Sequence, residues 1–129
     1  MTRTLVAFAF SVFLAATVSA ASAACWNDNG NAAATGQLAI GQFKDAADRP
    51  ETAFILTLGT PACLASQDPD NRVAATTTIH IYASAPALHA RIKQLVGRKV
   101  AVRGQPFAAH TSHHHAPIVM NISAIEPAE

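Results

Sequence analysis

The stretch "AHTSHHHAP", Ala109 to Pro117, holds four of the chain's six histidines. Near neutral pH an imidazole can bond, carry a proton or ligate a transition metal. His113 and His115 form an H-x-H pair, so an extended segment points both to one side and His114 to the other. His110 stands three residues earlier and can swing in across a turn. His110, His113 and His115 with an open fourth position make a chemically sensible set for Zn²⁺ or Cu²⁺. His80 or His89 can complete it. Metal-binding imidazoles are normally oriented by a carboxylate behind them. The loop contains none, and the acid nearest to it in sequence is Glu126.

Two other readings use the same residues. Thr111 and Ser112 favour turns in which a side chain bonds to backbone, and an imidazole can bond to backbone inside a tight loop. The cluster then serves to order a long connection. Alternatively, His80, Tyr82, His110, Thr111, His113, His114 and His115 form a surface for a protein, peptide or small ligand. Enzyme chemistry is not indicated. There is no nucleophile motif and no carboxylate pair at a defined spacing, and a histidine beside Ser112 lacks an orienting acid.

The elements that must carry this loop follow from apolar periodicity. Thr35–Lys44 reads as a strand with Leu38 and Ile40 on one face, bent at Gly36 and Gly41. "DAADRPE" breaks it. Thr52–Leu58 is a strand with Phe54, Leu56 and Leu58 inward, and "GTPACLASQDPDNR" reads as loop. In Val73–Tyr82 the residues Val73, Thr77, Ile79 and Ile81 face the core, and Thr76, Thr78, His80 and Tyr82 face away. One helix follows. Ser84 is its expected cap, Pro86 suits its first turn, Leu88, Ile92, Leu95 and Val96 form its stripe, and Gly97 ends it. Arg98–Arg103 and Ile118–Ile122 are the last strands, with Ile125 closing the core.

The order β-β-β-α-β-β predicts an all-β fold with one helix, an OB-fold-like five-stranded barrel. A small α+β sandwich is the alternative. In the barrel, the connection between the last two strands borders the usual binding face. The histidine stretch is that connection.

The chain opens with Arg3, an apolar run from Leu5 to Val18 and the small-x-small triplet Ala21-Ser22-Ala23. This predicts a signal peptide over residues 1–23, followed by one domain over 24–129 in the periplasm or outside the cell. Lipidation at Cys25 is the lesser reading, because Ser22 stands where a lipobox carries a bulky aliphatic residue. No other run is apolar enough to cross a bilayer. Cys25 and Cys63, an even pair in an exported chain, predict a disulfide rather than a redox motif. The net charge is +1, and loss of Arg3 would balance it. Export and neutrality both argue against a nucleic-acid partner. Arg91, Lys93, Arg98, Lys99 and Arg103 form an acid-free stretch, read as a solvated face or as a weak patch for an anionic partner.

These residues carry a resemblance. "GRKVAVRGQPFAAHTSHHHAPIVMNISAI" is similar to the C-terminal signature of domain of unknown function 4431, a group of exported bacterial proteins. The similarity lies in the V-x-V-x-G strand, Phe107, Ala109-His110-Thr111, the triplet His113-His114-His115 and the closing strand with Ile125. "FILTLGTPACL" resembles the family's strand leading to a cysteine, so the likeness runs from Thr35 to Ile125. Ser112 stands where the family pattern has glycine, and Ala116 where it has threonine. The resemblance implies export and a small β-rich fold, and no established activity.

Overall fold

Period-two alternation of apolar residues governs the structure, a computed structural model that describes residues 11–16 and 25–128. The elements are β1 (Trp26–Asn27), β2 (Ala32–Lys44), β3 (Pro50–Ala65), a 3-10 turn (Pro69–Asn71), β4 (Val73–Tyr82), α1 (Pro86–Leu95), β5 (Lys99–Ala108) and β6 (Ile118–Pro127). Residues 11–16 carry neither helix nor strand. The rest of the expected signal peptide lies outside the described residues.

Side chains of a strand alternate between faces, so one face of each strand can be wholly apolar. Five strands use that face to close a barrel. β3 pairs with β2, β2 with β5, β5 with β6, β6 with β4, and β4 returns to β3. The β4–β6 pairing is parallel and the other four are antiparallel. This is the expected closed five-stranded, OB-fold-like barrel with one helix between its third and fourth strands. Leu38, Leu56, Ile79, Ile81, Val100, Val102, Ile118 and Met120 fill it, all buried, and α1 adds Ile92 and Leu95 to the same core. Among the described residues no polar or charged residue is buried.

Closure needs β2 to pair with both β3 and β5. The exchange occurs at Gly36, whose partners are Leu58 on one side and Val100 on the other. A Cβ there would strike the Thr57 carbonyl oxygen, so only glycine allows the approach.

Several boundaries differ from the sequence reading. β3 does not stop at Leu58. It continues through Pro61 to Ala65, with register shifts between Thr57 and Leu64 that absorb the Gly-Thr-Pro segment. Ala62 and Leu64 return to the core side. β1, which was not expected, pairs parallel with Leu64 and Ala65. The Cys25–Cys63 disulfide is present and ties this arm to β3. Ser84 does not cap α1. The cap position is Ala85, which makes no side-chain bond, and Pro86 begins the helix where a missing N–H costs nothing. Gly97, at φ +88, ends the turn as expected. β5 and β6 run past their expected ends, to Ala108 and Pro127. Among the described residues no helix is long and apolar enough to cross a membrane.

Candidate functional site: the outer face beneath the histidine loop

The inward residues of β4 leave His80 and Tyr82 on the outer surface of the barrel. Registers extend that surface. Ile55 pairs with His80, which puts Glu51, Ala53 and Ile55 on the same outer side, and Glu51 pairs with Phe43 across the β2–β3 hairpin. Val119 pairs with His80 on one side and with Phe107 on the other.

The hairpin turn fixes Glu51. One carboxylate oxygen of Asp45 accepts the backbone N–H groups of Ala47 (2.9 Å) and Arg49 (3.0 Å), and the other accepts Arg49 Nε (2.8 Å). The backbone bond from Arg49 is the main reason the Asp45 carboxyl lies below its ordinary value. Asp48 takes the positive φ of 61° that completes the turn.

The β5–β6 connection folds back over this surface. Ala109 N–H donates to the Pro117 carbonyl at 3.1 Å and closes its base. Ala53, Ala116 and Val119 are buried although they lie outside the barrel core.

Imidazoles attach the loop in two ways. At its front, His113 Nδ1 donates to Glu51 Oε2 at 2.8 Å, and His115 Nε2 donates to Glu51 Oε1. A carboxylate can only accept, so both ring nitrogens carry protons. Glu51 is a quarter exposed, and these bonds, His113's foremost, hold its carboxyl below its ordinary value. His115 is also sandwiched. The Phe43 ring stacks on it at 4.3 Å and 7°, and His80 lies on it at 5.9 Å. Phe43 in turn lies over Gly41, where a Cβ would meet its ring.

At the loop's base the roles reverse. His80 Nδ1 accepts the backbone N–H of His115 (3.2 Å), and His114 Nδ1 accepts that of His110 (3.0 Å). These nitrogens must be unprotonated, so both rings are neutral here. Burial, followed by the neighbouring His115 and His114, pushes His80 down to about 4. Burial chiefly lowers His114 as well. Thr111 supplies the turn, its hydroxyl accepting from His113 N–H (3.2 Å) and its carbonyl from His114 N–H (3.1 Å).

On the solvent side the rings form a layer. His114 lies 4.7 Å from His110 and 5.4 Å from Phe107, and Tyr82 meets Phe107 edge-on at 6.4 Å. The structure thus gathers all seven expected ligand-surface residues. His89 is elsewhere, packed edge-on against Phe54.

The metal arrangement expected from His110, His113 and His115 is not assembled. His110 Nδ1 bonds the Ala108 carbonyl at 3.1 Å and its ring faces His114, while His113 and His115 share Glu51. Among the described residues no three His, Cys, Asp or Glu side chains are grouped to hold a metal ion. The separation of His114 from the other two holds, but through a turn rather than a straight strand. The loop itself carries no carboxylate, as expected, but one reaches it from another strand. Glu126 pairs with Ala101 on the β5–β6 ladder, and Glu51, far away in sequence, fills the role. Sequence reasoning missed Glu51 and Phe43. Their signal was their position about the turn: Phe43 stands just before "DAADRPE" and Glu51 is its last residue, which makes them facing residues once that segment is read as a hairpin turn.

A model of the family described as domain of unknown function (DUF4431) matches residues 78–126, which bears out the resemblance over that segment. The match takes in His80, Tyr82 and the histidine loop, and leaves Phe43 and Glu51 outside. No curated protein matches the chain.

Proposed function

We propose that the chain is an exported, non-catalytic binding module that takes a protein, peptide or small ligand on the ring-lined face around the β5–β6 loop. The observation that carries this reading is the layer of Tyr82, Phe107, His110 and His114 held over the outer barrel surface. OB-type barrels take ligands beside this connection. Rings with large faces and few rotatable bonds give contact area at low entropic cost, which suits recognition. Export is supported by the disulfide, which persists in oxidising compartments.

Peptide and glycan arrays probed with protein carrying no histidine tag test the reading. Binding that disappears in a Phe107→Ala/His110→Ala variant of unchanged melting temperature is the expected result. Binding that the variant retains, or an absence of any bound class, overturns it.

A further inference from the structure

The loop's attachment has an asymmetry of proton roles. Glu51 accepts hydrogen bonds from His113 and His115, and protonating either ring leaves those bonds in place. The base is different. His80 Nδ1 and His114 Nδ1 are acceptors: the first takes the N–H of His115 and ties the end of the histidine triplet to β4, and the second takes the N–H of His110 and closes a bond within the loop. A proton on either nitrogen sets two donors against each other and breaks the bond.

We infer that these two acceptor imidazoles form an acid-sensitive latch, which loosens the base of the β5–β6 loop when they take up protons: the His80 bond to the loop and the loop's own His114–His110 bond are lost, while Glu51 still holds His113 and His115. The inference rests on the proposed binding reading for its purpose, since the surface it would control is that ring-lined face. The outer face beside the latch is apolar: Ala53 and Val119 are buried outside the barrel core, next to Ile55 and His80 in the strand register.

The groups facing the latch come from two elements. Glu51 on β3 faces His80 and favours its protonation, whereas His114 and His115 on the loop oppose it. His110, His113 and His115 surround His114 and oppose its protonation too. Burial reinforces the opposition at both rings. Folding therefore favours the neutral rings, and the stability they contribute is complete above the ordinary histidine value and declines as pH falls below it. For His80 the decline runs from 6.5 to about 4.

Residue-resolved hydrogen exchange on the disulfide-bonded protein tests this between about pH 7 and about pH 4.5. The protection of the His110 and His115 amides, corrected for intrinsic exchange, should fall by about tenfold or more. That of the Leu38 and Ile79 amides should hold. In a His80→Asn/His114→Asn variant, a carboxamide oxygen replaces each Nδ1 as an acceptor that acid does not protonate. The fall should then vanish. Flat protection in the natural protein, parallel loss in the barrel, or the same fall in the asparagine variant overturns the latch. The array measurement at neutral pH keeps the two proposals separate. Acid-dependent loop protection supports the latch even where no array ligand binds, and pH-flat protection overturns it even where one does.

Discussion

Inside the barrel, Leu38, Leu56, Ile79 and Met120 interlock with no polar group among them. On the outer face, a few ångströms away across β3 and β4, the loop is held by Glu51, four imidazoles and one stacked phenylalanine. Apolar burial is non-directional and depends little on protonation. The outer face depends on which nitrogen carries a proton. One sheet thus supports a core indifferent to acid and a surface that responds to it. The physical cause is the alternation of strand side chains, which puts Ile79 and Ile81 on one side and His80 and Tyr82 on the other.

This contrast can be broken or sharpened by substitution. The largest effect belongs to the barrel's covalent tie. Replacing Cys25 and Cys63 by alanine should cost roughly 4 kcal/mol in the chain-entropy model for a loop of this length. Chemical denaturation should read it as a lower midpoint, with the ring contacts of the loop unchanged in buffer. Leu56→Ala should follow at about 3 kcal/mol, because the fully enclosed site leaves a cavity. The same measurement should again show a barrel effect without a pH-dependent component. Phe43→Ala removes the stack on His115 and should cost only about 1 kcal/mol, detected chiefly as a shifted His115 ring signal in NMR. If Phe43→Ala destabilised the whole molecule as much as Leu56→Ala, the division between core and face would fail.

The smallest global effect should come from acid. His80 is lowered from 6.5 to about 4, so its contribution erodes across that interval as pH falls. The Glu51 carboxyl is lowered from 4.5, so its contribution is complete above that value and is lost as pH falls through the lower folded one. The two losses occur in that order. An NMR titration should show the loop amides change first near His80 and later near Glu51, with barrel amides still.

The barrel was largely legible in the sequence because each core strand announces itself within a few residues. Val73–Tyr82 was read with its true ends and with the right faces from Ile79 to Tyr82, whereas Thr77, expected to face the core, is exposed, because the strand's pairing with β3 shifts register beyond Thr78. β3 was cut short because Gly59, Thr60 and Pro61 have the composition of a turn, and only tertiary pairing reveals them as an irregular stretch of strand. The site was legible in part. His80, Tyr82 and the loop histidines were named, since their types and alternation are local facts. Glu51 was not, because its bonds to His113 and His115 span 62 and 64 residues and exist only once β3 lies beside β4. The proton roles were hidden for the same reason. A ring nitrogen's role is set by its partner, and His80's partner is a backbone N–H 35 residues away.

The central claim is that Glu51 holds the histidine loop onto an otherwise self-sufficient barrel. Hydrogen exchange on Glu51→Gln at neutral pH tests it most directly, since a carboxamide puts an acceptor oxygen at only one of the two positions that His113 and His115 address and removes the negative charge. The account predicts that the His113 and His115 amides lose protection by about tenfold while Leu38 and Ile79 keep theirs. Loop protection equal to that of the natural protein, or a loss shared by loop and barrel together, would contradict it.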